Sequence, residues 1–211
     1  MKSLLILIVL LLAGFGVPQL LHAQTVPDDK QATQPRRRGG IFTMYAADPL
    51  ARTLCFNDGK EGMAFVNNKW ENRCSDLSYT LAGNGSLVSG IEINRVAAIV
   101  DLGTANELRG RYGYDDAENG GVGFASLRLE GGKIMILQDN SNPSKLTWQA
   151  VQENSRLTEV KSSATAPIQL GHIYLVRIAD SRDKSSQQTV VKLMVIAYRP
   201  EEAVTLRWEL L

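Results

Sequence analysis

The chain has 211 residues, 44% hydrophobic and 21% charged, with a formal net charge of +1 at pH 7. That length suits one domain or two small ones with a sizeable core, and the ordinary composition excludes global disorder. The near-zero charge argues against a whole-surface attraction to nucleic acid or anionic membrane.

The N-terminus reads as an export signal. Lys2 gives a positive start, residues 4–17 are an unbroken apolar or glycine run, Pro18 breaks it, and Leu21-His22-Ala23 ends in a small residue. A charged start, short apolar core and small-residue exit make a secretory signal. The run is shorter than the roughly 20 residues of a membrane helix, so no stable span is expected after cleavage behind Ala23. The expected location is secreted or periplasmic. No cysteine lies near the signal exit, which argues against a bacterial lipid anchor. Cleavage also removes His22 and leaves His172 as the sole histidine of the mature chain.

Residues 24–40 carry almost no apolar side chains and are expected to be a flexible leader. Arg36-Arg37-Arg38 within it reads as a solvated tail. The folded domain is expected over 41–211. Cys55 and Cys74 are the two cysteines, and an even count in an exported chain favours one disulfide. Closing a loop of about 20 residues contributes roughly 3 kcal/mol in the chain-entropy model. With both cysteines in that bond and no C-x-x-C motif, neither thiol exchange catalysis nor a structural Cys/His zinc site is expected.

Short β runs dominate the rest. Strands are predicted at 41–45, 63–66, 77–82, 87–93 and 96–102, with Asn84-Gly85 as a tight turn. Asn84-Gly85-Ser86 is also a glycosylation sequon, which matters only in a glycosylating host. One short α-helix is predicted near 104–111. Thr104 and Glu107 form a capping box, and the helix stops at Gly110 or Gly113. No glycine-rich phosphate loop precedes it and no cofactor is implied. Gly131-Gly132 joins 124–130 to 133–138 in a hairpin. Residues 145–151 alternate, with Leu146, Trp148 and Ala150 on one side. Residues 157–167 read as a polar loop or irregular edge. The chain ends in a meander of strands at 173–179, 189–198 and 203–210. Many short strands with turn signals every 8–12 residues point to a single mostly-β domain, a sandwich or jelly-roll-like arrangement.

Site candidates are few. His172 stands alone, without a nucleophile elbow, and reads as the first residue of a strand. The acidic loop at 115–121 partly fits a calcium template through Asp115 and Asn119. Ala117 stands where an oxygen ligand is needed, and Ser126 where the bidentate Glu should be. Asp101, Asp115, Asp116, Glu118 and Asp139 are available for carboxylate chemistry, with nothing to set them apart. In the final meander, Tyr174, Val176 and Ile178 should share a core face with Val191, Leu193, Val195, Leu206 and Trp208. The opposite face mixes apolar residues with Arg177, Lys192 and Arg207. Three cations in a row there would suit an anionic or amphipathic partner, unless another layer covers them and they snorkel. Trp70 is the tryptophan with wholly polar neighbours and the candidate exposed aromatic contact.

These observations favour an exported, non-catalytic binding module for a protein, glycan or anionic ligand. A secreted carboxylate-dependent hydrolase would need converging acids with a raised pKa. A structural accessory domain of the cell envelope would need neither, but would expose a sheet edge.

Overall fold

The computed structural model describes residues 39–211 except 49–50, 73, 81–84, 91–93, 114–123, 140–141, 143 and 182–187. The signal, most of the leader, and both calcium candidates, Asp115 and Asn119, lie outside the described residues.

A central antiparallel sheet carries the fold. Its strands are β1 (Gly39–Tyr45), β8 (Arg95–Thr104), β13 (His172–Asp180), β14 (Thr189–Arg199) and β15 (Ala203–Leu210), in the order β1-β15-β14-β13-β8. A second sheet packs on one face. It contains β2 (Thr53–Cys55), β3 (Lys60–Glu61), β6 (Leu77–Thr80), β7 (Ser86–Ser89) and β12 (Ala164–Pro167), ordered β12-β7-β6-β2-β3. Between them lies a core in which Tyr174, Val176, Leu193 and Leu206 meet Leu54, Leu77, Tyr79 and Leu87. This is the expected sandwich, and the predicted apolar face of the meander is the one it buries.

A third layer sits on the other face. It consists of β9 (Leu127–Glu130), β10 (Lys133–Asp139) and β11 (Thr147–Ala150), with helices α1 (Ala105–Tyr112) and α2 (Asn154–Thr158). Leu127, Ile134 and Ile136 from the sheet, with Leu108 and Leu157 from the helices, cover Ile173 and Leu175 of β13. A strand buried on both faces reads as a near-continuous apolar run, which is why β13 shows little alternation. A small hairpin of β4 (Met63–Val66) and β5 (Lys69–Asn72) stands inside the disulfide loop.

Local signals account for α1. Thr104 Oγ1 accepts from the Glu107 N–H at 3.2 Å, and Glu107 Oε2 accepts from the Thr104 N–H at 2.6 Å. Gly113 closes the helix in the left-handed conformation, its N–H donating to the Arg109 carbonyl. The stretch 157–167, read as a polar loop or irregular edge, divides into a helix end, a connection and an edge strand. Residues 157–158 end α2, a single turn without a side-chain cap. Tertiary bonds hold it: the Asn154 side chain accepts from Ile134 N and donates to Ile134 O. Tertiary packing of this kind supports helices too short to form alone. Residues 164–167 form edge strand β12, which buries Ala164 and Ala166 and ends at Pro167, as expected for proline at an edge.

Candidate functional site

The outer face of the central sheet is half covered, and the register decides what its cations do. Arg177 stands opposite Val190, Lys192 opposite Leu175 and Glu209, and Arg207 opposite Met194 and Ile41. No cation faces another, so the expected row does not form. Lys192 is 2% exposed. Its ammonium donates to the carbonyls of Phe124 (3.1 Å) and Ala125 (2.7 Å), pairs with Glu209 at 3.0 Å, and lies 3.9 Å from the Phe124 ring centroid. The Arg207 guanidinium lies 4.4 Å from the same centroid. Arg177 donates to the Leu157 carbonyl at 3.2 Å and to Gln188 Oε1. Long basic side chains carry apolar stems and polar heads. Here the heads fasten residues 124–126 and α2 onto the sheet. Residues 124–126, read as the start of a strand, precede β9, which begins at Leu127, and the Ser126 carbonyl still accepts from the Leu137 N–H.

Beyond that cover, among the described residues, side chains of this face reach the surface. Ile41 (67% exposed) and Tyr45 (52%) project from β1 on the side opposite buried Met44. Thr43 between them meets Thr205 through an Oγ1–Oγ1 hydrogen bond of 3.0 Å. Ile196, 38% exposed, lies across β15 on β14, at a register shift between Val195 and Ala197. Among the described strands β1 is also an edge of the sheet. The Tyr45 N–H points away from β15 to the Ala51 carbonyl. Alternation along the strand gives the N–H groups of Thr43 and Ile41 the same direction. β1 contains no charged residue and no proline, which are the usual protections of an edge.

A polar cleft of about 600 Å³ opens at the far edge of the sheet, lined by Asp101, Glu107, Arg111, Glu153, Arg156 and His172 among others. Here the structure joins two residues that the sequence left apart. β8 carries an extra residue: Ile173 faces Gly103 and Tyr174 faces Asp101, so Leu102 bulges. Gly103, at φ +86°, permits it; a Cβ there would lie 2.3 Å from Glu107 Oε2. Bulges re-aim side chains, and this one brings both Asp101 oxygens within 3.0–3.1 Å of His172 Nδ1. Asp101 also accepts from Gly103 N (2.7 Å) and Gln169 Nε2 (3.3 Å). This contact fixes the ring's orientation through Nδ1 and leaves Nε2 as the nitrogen not engaged by Asp101. Nearby, Tyr174 donates to the Pro167 carbonyl, and burial, then the Asp101 charge, pushes its pKa up.

Glu153 is buried and taken up by Arg111 at 2.5 Å and by the Tyr112 hydroxyl at 3.1 Å. Glu107 is held below the usual carboxylate range, first by the Thr104 N–H and then by the Thr104 hydroxyl. A general acid needs a shift in the other direction. A lowered native pKa contributes stability that is present above the unfolded value and lost as pH falls through the native one. Glu107→Gln should therefore flatten the acid limb of a stability–pH curve, measured by urea denaturation between neutral and acidic pH. An unchanged limb would show that the capping box is not the source.

Cys55 and Cys74 form the expected disulfide, with Cα atoms 5.3 Å apart. Trp70 lies on β5, opposite Phe65, and its side chain is outside the described residues. Trp148, expected in the core, is instead half-buried on the outer side of the third layer, with the Arg128 guanidinium 4.1 Å from its ring centroid. Among the described residues no helix is long and apolar enough to cross a membrane. No known protein family, curated protein or solved structure matches this chain.

Proposed function

We propose that the protein is an exported interaction module that binds an extended segment of a protein partner by strand addition to β1. The observation that carries this reading is edge strand β1: seven residues without charge or proline, with Ile41 67% exposed and only its last outward N–H, that of Tyr45, held by the Ala51 carbonyl among the described residues. Main-chain bonds from a free edge give affinity, and pockets for alternate side chains give specificity. Ile41 and Tyr45 supply exposed apolar side chains on that edge, where a purely structural domain needs only the edge. Export is supported by the signal-like first 23 residues and agrees with a disulfide in the folded domain. Arg177, Lys192 and Arg207 are engaged within the domain, so the binding role moves from the cations to the β1 side of the same face.

The test is selection of extended peptides displayed on phage against the full chain. Thr43→Pro removes an outward N–H together with the Thr43–Thr205 hydroxyl hydrogen bond, Thr43→Val removes that hydrogen bond alone, and Ile41→Lys places a charge on the edge. Thr43→Pro and Ile41→Lys should each reduce binding of the enriched peptides roughly tenfold, about 1.4 kcal/mol, while Thr43→Val keeps it. Peptides that bind Thr43→Pro and Ile41→Lys as tightly as the parent would overturn the reading. Concentration-dependent self-association that Thr43→Pro abolishes would identify a second copy as the occupant instead.

A further inference from the structure

The disulfide does not stand alone. Cys55, Cys74 and Asp76 each offer a ligand atom, and the three atoms lie within 4.8 Å of one another. Asp76 Oδ2 is 3.4 Å from Cys74 Sγ. A cleft of about 670 Å³, lined by Asn57, Cys74, Asp76 and Arg95 among others, opens at Cys74 and Asp76. Contacts besides the sulfur–sulfur bond hold these groups. β2 pairs with β6 through Leu54 and Leu77. Asp76 donates its N–H to the Leu54 carbonyl (3.1 Å), its carbonyl accepts from Ser89 Oγ (2.6 Å), and its carboxylate accepts from the Phe56 N–H (2.8 Å).

We propose that in the reduced protein Cys55, Cys74 and Asp76 bind a thiophilic divalent cation, with Zn²⁺ as the fitting ion, so that the same loop is closed by a disulfide in one redox state and by a metal in the other. Tetrahedral zinc with Zn–S of about 2.3 Å and Zn–O of about 2.0–2.2 Å requires S···S near 3.8 Å and S···O near 3.6 Å. The Asp76–Cys74 distance already approaches the second value. The first is reached by side-chain rotation once the bond is broken, since the Cα atoms are 5.3 Å apart. Two thiolates and one carboxylate match a borderline-soft ion. The Phe56 N–H on Asp76 is an outer partner of the kind that orients a ligating carboxylate. The fourth position faces the cleft and is left to water.

The chemistry balances. A dithiol gives two electrons to the disulfide and closes to its own disulfide, and its two protons pass to the sulfurs of Cys55 and Cys74. Metal binding then releases both thiol protons and forms two metal–sulfur bonds and one metal–oxygen bond.

The experiment is titration of the full chain, reduced by a phosphine, with Co²⁺ and then Zn²⁺. A thiolate-to-cobalt charge-transfer band should saturate at about one Co²⁺ per chain and disappear as Zn²⁺ displaces it. The oxidised chain and Cys55→Ser should lack the band. Asp76→Asn keeps an acceptor for the Phe56 N–H and should weaken binding by at least roughly tenfold, the scale of even an outer-partner change. A reduced chain with native far-UV circular dichroism and no band overturns the proposal, as does undiminished affinity in Asp76→Asn. Unfolding on reduction that Co²⁺ reverses supports it, because metal affinity is then folding free energy. Unfolding that Co²⁺ leaves in place overturns it.

Discussion

Lys192→Ala is expected to destabilise the domain by about 3–5 kcal/mol, the scale for breaking a buried ion pair from one side. The substitution leaves the Glu209 carboxylate facing an empty position, and the carbonyls of Phe124 and Ala125 lose their donor. It also removes the cation beside the Phe124 ring. Glu209 retains some solvent contact, so Glu209→Gln should cost less than loss of Lys192. Lys192→Met with Glu209→Gln should recover much of the loss, because apolar replacement of a whole buried pair is often close to neutral. Urea denaturation of the three variants, with m compared throughout, measures this. A loss below about 1 kcal/mol, the range of exposed pairs, would show that Lys192 is solvated, and would return it to the surface available to a partner.

The same residue shows where sequence reading stops. Alternation placed Lys192 on the outer face, and it is there. What alternation does not carry is the layer above, which arrives from residues 124–138, far away in the chain. Elements specified by adjacent residues were legible: the Gly131-Gly132 hairpin, the Thr104–Glu107 capping box, the alternating last strand and the disulfide. Elements specified across the fold were not. α2 is fixed by Asn154 reaching Ile134, and no local signal in 154–158 announces that contact. The Asp101–His172 pair depends on a bulge at Leu102 in a strand 71 residues away from the histidine. Gly103 directly before the Thr104 cap was the available hint, since an isolated glycine at a strand end marks a bulge. The edge position of β1 was hidden for the same reason: which strand ends a sheet follows from strand order, and strand order is not a local property.

Trp208 and Trp148 alternate with aliphatic neighbours in the same way, yet their removal should have unequal consequences. Trp208 faces the first core, its ring centroid 5.5 Å from that of Phe56. The chain is built closely around it. Gly59 sits at φ +71°, and a Cβ there would lie 3.0 Å from the indole. β15 is held between β1 and β14 along its length, so the backbone around the site has little freedom to collapse into a cavity. Trp208→Ala should therefore cost about 3–5 kcal/mol, the range for deleting a large buried aromatic. Trp148 sits on edge strand β11, with Arg128 over its ring and exposed neighbours on either side. Trp148→Ala should cost less, about 1–2 kcal/mol, the scale of a partly desolvated cation–π contact. Urea midpoints of the two variants, read by circular dichroism so that loss of a tryptophan does not alter the signal, measure the contrast. Equal losses would mean that the third layer is packed on its outer side as tightly as the sandwich is within. The outer side would then be an internal surface, and β11 would join β1 as a candidate place for a partner to cover.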